Sequence, residues 1–323
     1  MPPVKPVTTT EKPGPVAVRL PLKPLLLVLG LVATAYAVAL LVWGDSPRAS
    51  LAHLWTWTGL QAGLLCLLNY GLRGLRWRFW MAHYGRHFGP LEGLRLYLAG
   101  YAFTPTPGNV GEAVRGLMLA RNPLGARQSL AIFGAERLAD LLCLLLLCLP
   151  ALWWALGEGG MARAAPVWLP GLLAAGLLVM AVVLVILFRR RRSLLHRFDW
   201  LREAWHCLAL RPLVWLSLTL LAWAAQGLAV WLICRAFGVS PGPLQATGFY
   251  ALAMVAGALS ALPAGLGGTE AVLAGLLVTY GANPGAALGI TVLTRLLTLW
   301  LAVGIGMMAL LYSAAIRKEI SFR

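Results

Sequence analysis

Long apolar runs alternate along this chain with short clusters of arginine, proline and glycine. The runs predict helices, because most approach or exceed the roughly 20 residues that cross about 30 Å of hydrocarbon. Spans are expected at about Pro24–Trp43, Leu54–Leu72, Gln128–Leu156, Pro166–Phe188, Leu213–Phe237 and Gly285–Tyr312. Alternating short strands, which would build a transmembrane barrel, are not evident. Two further stretches are interrupted. Leu94–Phe103 is too short to cross alone and runs into Thr104-Pro105-Thr106-Pro107-Gly108. Residues 244–262 run into Pro263, Gly265, Gly267 and Gly268. Proline and glycine this close together break a helix. With residues 111–121 and 269–280, each stretch reads as a re-entrant hairpin. Broken backbone at membrane depth survives only where protein or a water-filled cavity satisfies it. A reading in which both hairpins cross fully, giving eight or more spans, stays open.

The two breaks belong to a pattern that occurs twice. Pro107-Gly108-Asn109-Val110-Gly111-Glu112-Ala113-Val114 is followed by Glu136-Arg137-Leu138. Pro263-Ala264-Gly265-Leu266-Gly267-Gly268-Thr269-Glu270-Ala271-Val272 is followed by Thr294-Arg295-Leu296. Glu112 and Glu270, like Arg137 and Arg295, lie 158 positions apart. At that offset Glu136 corresponds to Thr294 and Asp140 to Thr298. The expected fold is therefore an all-α polytopic membrane protein: about six full spans plus two hairpins, in repeat halves near 54–157 and 213–316. Residues 1–23 read as a disordered basic tail, and 24–323 as one membrane domain.

Charge placement adds orientation. Lys5, Lys12, Arg19 and Lys23 precede the first span, Arg73, Arg76, Trp77 and Arg78 border the second, and Arg189 to Arg192 follow the Pro166–Phe188 run. Positive-inside bias places these on the cytoplasmic side. The stretch 189–211 is amphipathic enough to lie on that surface. Both termini are then cytoplasmic and the two hairpins enter from opposite faces, as in inverted-repeat transporters.

Composition agrees. The chain is 60% hydrophobic and 12% charged, with mean hydropathy +0.77, more apolar surface than a soluble domain can hide. The net charge of +16 sits between apolar runs and carries no nucleic-acid recognition motif, so lipid headgroups explain it better than nucleic acid does. Cys66, Cys143, Cys148, Cys207 and Cys234 form no Cys-x-x-Cys pair and suggest packing, not zinc or disulfides.

Ionisable groups within a bilayer are costly and default to a functional hypothesis. Arg137 and Arg295 are expected to project towards the repeat interface and, with Arg115, to hold a lipid phosphate through paired hydrogen bonds. Glu112, Glu136, Asp140 and Glu270 would neutralise those arginines when the site is empty, and one could accept a coupling proton. Thr291, Thr294 and Thr298 share the Arg295 stripe as a polar furrow. The glycine-rich breaks (Pro107, Gly108, Gly111, Pro263, Gly265, Gly267) would offer backbone N–H groups to an anion. The plainer alternative is that Glu112–Arg137 and Glu270–Arg295 are buried ion pairs that only pin the hairpins. Glu136 and Asp140 are one turn apart, but without a histidine on that helix no metal is expected. Gly108-Asn109-Val110-Gly111 lacks the ending of a nucleotide loop.

These residues resemble the lysylphosphatidylglycerol synthase-type transmembrane family, also called the flippase-like domain family. The matching features are Arg76-Trp77, Pro107 to Glu112 with Arg115, Glu136-Arg137-Leu138-Ala139-Asp140, and Leu262 to Gly267 with Glu270 and Arg295. The likeness runs from about residue 50 to 315. The family usually has an asparagine shortly before the first break; Tyr101-Ala102-Phe103-Thr104-Pro105-Thr106 departs from this. The resemblance implies movement of lipids between leaflets, with hopanoid, polyprenyl-glycan and other envelope lipids represented in the family. Bifunctional members add a soluble aminoacyl-transfer domain. This chain ends at Arg323, just past its last span, so lipid aminoacylation is not expected.

The resulting expectation is a non-enzymatic flippase-like protein of the bacterial inner membrane that carries a phospholipid, hopanoid or polyprenyl-linked lipid. No cofactor is expected. Its partners would be membrane lipids and, in an alternative reading, a lipid-biosynthesis enzyme that it scaffolds. A headgroup-modifying enzyme is the other alternative, with Glu112 and Glu270 as its candidate acids. The oligomeric state is left open.

Overall fold

Proline marks the beginning of half of the described α-helices. Its missing N–H costs nothing in the first turn and its fixed φ suits the helix. In the computed structural model Pro47, Pro90, Pro212, Pro243 and Pro284 each open a helix. The structure describes residues 47–117, 119, 123–157, 199–260 and 262–316, together with Gly30, Thr34 and Val38. The expected tail 1–23, the Pro166–Phe188 span, the basic run 189–198 and nearly all of the Pro24–Trp43 span lie outside these residues.

Among the described residues the elements are helical. They are α1 (Pro47–Ala52), α2 (Trp57–His83), α3 (Pro90–Ala99), α4 (Ala126–Gly157), α5 (Asp199–Ala209), α6 (Pro212–Ala236), α7 (Pro243–Leu259), α8 (Gly268–Tyr280), α9 (Pro284–Arg295) and α10 (Leu301–Ile316). Tight 3₁₀ segments cover His53–Trp55, Gly100–Phe103, Pro107–Gly116 and Pro263–Gly265, and a π-turn, Leu296–Trp300, joins α9 to α10. Among the described residues, three helical stretches are long and apolar enough to cross a membrane: Ala126–Ala155, Pro212–Ala236 and Pro284–Ser313.

The centre of the fold is the packing of α2 along α6. It is pinned by the buried Asn69 Nδ2, which donates to the Ala222 carbonyl at 2.8 Å. Helix α7 packs on α6, α8 and α4. Helix α3 and the 3₁₀ turn after it pack on α10. Each interrupted stretch thus leans on the long helix of the other half. Small residues let backbones approach in such contacts. A Cβ at Gly306 of α10 would come 2.6 Å from the Ala102 backbone nitrogen, and one at Gly248 of α7 would come 2.7 Å from the Ala151 Cβ.

The structure corrects the expected end of the second span. Helix α2 does not stop at Leu72 but continues to His83. Arg73 and Arg76 are therefore not interfacial border residues: they are 8% and 0% exposed. The reason is periodic. Ala62, Cys66, Asn69, Tyr70, Arg73, Arg76, Trp77 and Trp80 form one buried stripe at helical spacing. The two interrupted stretches also differ. In the second, both arms, α7 and α8, are α-helical; in the first, α3 is ten residues long and the returning arm is the 3₁₀ segment.

Candidate functional site

The first break builds its own ion pair. A 3₁₀ helix has three residues per turn, so positions i and i+3 eclipse. Glu112 and Arg115 stand in that relation within Pro107–Gly116, and Arg115 Nη2 donates to Glu112 Oε2 at 3.1 Å. Thr104 Oγ1 donates to the other carboxylate oxygen at 2.9 Å. Helix α4 then offers Glu136, Arg137 and Asp140 on adjoining positions. Arg115 Nη1 reaches Glu136 Oε2 at 3.3 Å. Arg137 Nη2 reaches Glu112 Oε2 at 3.4 Å and Asp140 Oδ2 at 3.5 Å.

Helix α2 completes the network. Arg73 Nη2 and Arg76 Nη1 each hold one oxygen of Asp140 at 2.7 Å. Arg76 Nη1 also donates to Thr219 Oγ1 on α6 at 2.8 Å, and Trp223 Nε1 donates to Asp140 Oδ1 at 3.2 Å. Aromatic faces cover the cations. Arg115 lies 4.3 Å from the Tyr97 ring centre, and Arg73 lies 5.3 Å from that of Trp223. Removing one partner of so buried a pair typically costs about 3–5 kcal/mol, because the other charge is stranded. The network is therefore a strong tie between α2, α4 and the first break.

The second break is simpler. Ala264 adopts φ 54°, a left-handed conformation unusual for alanine. Arg295, the last residue of α9, donates from Nη2 to the Ala264 carbonyl and from Nε to Glu270 Oε1, both at 2.7 Å. The π-turn follows directly. Such turns disturb the regular backbone ladder. Here Tyr70 of α2 donates its hydroxyl to the Leu297 carbonyl at 2.7 Å.

The two breaks meet at one partly open cavity of about 80 Å³. Asn109 and Glu112 reach it from the first break and Ala264 from the second. Arg73, Arg137, Arg295 and Thr298 face it from the long helices, and Gln226 from α6. Asn109 also adopts a positive φ, 56°. Each break thus places a non-glycine residue of left-handed backbone on the cavity wall. Strained backbone of this kind gathers at binding and switch sites.

Four of the sequence-predicted residues, Glu112, Arg137, Arg295 and Thr298, come together here. The others do not line the cavity. Arg115 and Glu136 lie behind it, lining a separate small pocket with Glu112. Asp140 is held by Arg73 and Arg76. Glu270 backs Arg295, and Thr294 is fully buried. Pro107, Gly108 and Gly111 belong to the first 3₁₀ segment, Pro263 and Gly265 to the second, and Gly267 caps α8. Among the described residues, no three His, Cys, Asp or Glu side chains group as metal ligands.

Sequence reasoning missed Arg73, Trp223 and Gln226 on this wall. The apolar stripe of α2 carried a usable signal for Arg73, since it continues past Leu72 without a break. Trp223 and Gln226 lie within a span with no strong periodicity, so their orientation had no comparable signal.

The arrangement of two breaks, each tied to an arginine on a long helix, coincides with a family match. The model of the lysylphosphatidylglycerol synthase TM region matches residues 27–306. The chain belongs to this family. It is therefore a membrane protein of the lysylphosphatidylglycerol synthase TM region type. Two alignments to curated proteins described as UPF0104 membrane protein, from Methanothermobacter thermautotrophicus, are more local. One is 35% identical over 89 residues, covering 28% of this chain and 27% of the relative. The other is 29% identical over 130 residues, covering 38% and 37%. The aligned segments thus span well under half the length of these relatives.

Proposed function

We propose that this member of the family moves a membrane lipid between leaflets, holding the lipid's polar headgroup in the cavity between the two breaks. The observation that carries this reading is the composition of the cavity wall. Both breaks and both long helices contribute to it, each long helix through an arginine. A guanidinium suits phosphate oxygens because its planar fork donates two parallel hydrogen bonds. Any relative motion of the halves changes the shape of the wall, which is what alternating access around a fixed site requires.

The fold class enters this proposal as an inverted repeat. Helices α2, α4 and α6 with the α9–α10 pair follow the same 158-residue offset as the motifs. The reciprocal packing of α3 on α10 and α7 on α4 supports it. Both termini would lie on the cytoplasmic side of the cytoplasmic membrane. Transport would run downhill or be coupled to an ion, without covalent chemistry. A lipid-biosynthesis enzyme would supply the cargo as a neighbour in the same membrane.

The test is transbilayer movement of headgroup-labelled lipids in liposomes holding the purified protein. Wild type is expected to flip at least one class, and folded Arg137→Ala and Arg295→Ala variants are expected to lose most of that activity. Equal rates in all three would overturn the arginine site. Absence of movement for every lipid would favour a scaffold for a lipid-modifying enzyme.

A further inference from the structure

The charges around the cavity do not balance. In the first half Arg73, Arg76, Arg115 and Arg137 are joined to Glu112, Glu136 and Asp140. Four guanidiniums therefore meet three carboxylates. The second half adds the pair Arg295 with Glu270, so among the described residues of these ion pairs the cations exceed the carboxylates by one. The location of this excess is marked by geometry. Arg73, Arg76 and Arg115 are at most 9% exposed, with at least one contact of 3.1 Å or less. Arg137 is 29% exposed, and its two carboxylate contacts are the long ones, at 3.4 and 3.5 Å. Arg137 faces the cavity beside Arg73 and Arg295, and Glu112 is the sole carboxylate on the wall among the described residues.

We infer that the cavity selects a headgroup of net negative charge, a phosphodiester or phosphomonoester without an ammonium, and that Arg73 is a third cation of that subsite. This rests on the headgroup reading above and adds the substrate's charge class. One bound anion would cancel that excess, and buried charge is stable only when compensated. An ammonium on the same headgroup would face three guanidiniums, and like-charge juxtaposition is strongly selective. Two of the four aromatic side chains on the wall, Tyr101 and Trp223, already face a cation, since Arg73 lies 6.0 Å and 5.3 Å from their ring centres; the other two, Tyr70 and Tyr250, bond through their hydroxyls to the Leu297 carbonyl and to Gln226.

The experiment is calorimetric binding of short-chain lipids to the full chain in neutral detergent. The probes are dihexanoyl phosphatidylglycerol, dihexanoyl phosphatidic acid and dihexanoyl phosphatidylcholine. The anionic probes are expected to bind about ten-fold more tightly than the choline lipid, with a preference that shrinks as salt rises. Arg137→Gln and Arg73→Gln are each expected to remove most of that preference while leaving the weak choline-lipid affinity in place. Thr298→Asp, which adds a carboxylate to the wall, tests the same balance without removing an arginine and is expected to act likewise.

Equal affinities in wild type, or tighter binding of the choline lipid, would overturn the charge selection. Flip of any lipid in the liposome assay would then leave the headgroup reading standing. An unchanged preference in folded Arg73→Gln would overturn the assignment of Arg73. Thermal unfolding of each variant identifies those that have lost their fold.

Discussion

The two halves share one ion pair and differ in almost everything around it. Glu112–Arg137 and Glu270–Arg295 are each 25 residues apart and each tie a break to a long helix. At the common offset the other charged positions of the first half have uncharged counterparts. Arg73 corresponds to Trp231, Arg76 to Cys234, Arg115 to Leu273, Glu136 to Thr294 and Asp140 to Thr298. Arg73, Arg76 and Asp140, which pair with one another in the first half, are thus all uncharged at the corresponding positions. In place of the network the second half uses neutral groups. Arg295 takes the Ala264 carbonyl as its second acceptor, and Thr298 donates back to the Thr294 carbonyl at 2.8 Å. The pair itself needs only one acid and one base. The rest of the first-half network joins α2 to α4.

This contrast predicts unequal responses to equivalent substitutions. The largest effect is expected for Asp140→Asn, which leaves Arg73 and Arg76 facing a neutral amide. Thermal unfolding in detergent should show a loss of about 3–5 kcal/mol. Thr298→Val, at the corresponding position, should cost less, about 1–2 kcal/mol, because it removes neutral hydrogen bonds, to the Thr294 carbonyl and with Tyr250, and strands no charge. Equal costs at the two positions would break the comparison.

A smaller loss is expected for Glu270→Gln. Arg295 keeps the Ala264 carbonyl, so the loss should resemble one hydrogen bond to a charged group, about 1.5–3 kcal/mol. Glu112→Gln should cost more, since Glu112 serves Arg115, Arg137 and Thr104 together. The reverse order in unfolding measurements would show that the first half is not the more tightly tied. Further small effects concern packing. Gly306→Ala and Gly248→Ala should each cost about 1–2 kcal/mol by forcing backbone apart. Similar values at the two sites would sharpen the view that the interrupted stretches are exchanged reciprocally. A cost at one site alone would restrict that view to one half.

What could be read directly from the chain was whatever depends on local pattern. Length and apolar content dictate helices, so α4 and α6 fall within about two residues of the expected spans. The Glu–Arg spacing of 25 residues was legible because it is a feature of the sequence itself, and both pairs form. Proline and glycine announced both breaks, since they act on the backbone wherever they occur.

Tertiary structure decided which charges meet. Arg73 and Arg76 look like a cytoplasmic border because basic residues after an apolar run usually are one. They are buried because Asp140, 64 and 67 residues away, supplies a carboxylate opposite them. No local rule links positions so far apart. The same holds for Arg115: spacing placed it near Glu112, but the Tyr97 ring and Glu136 turn it away from the cavity. Sequence determined that this protein would carry a duplicated acid–base pair in helices made for a membrane. Only the packing of α2 against α4 and α6 decided which of its arginines meet a carboxylate, because those partners lie far away in the chain.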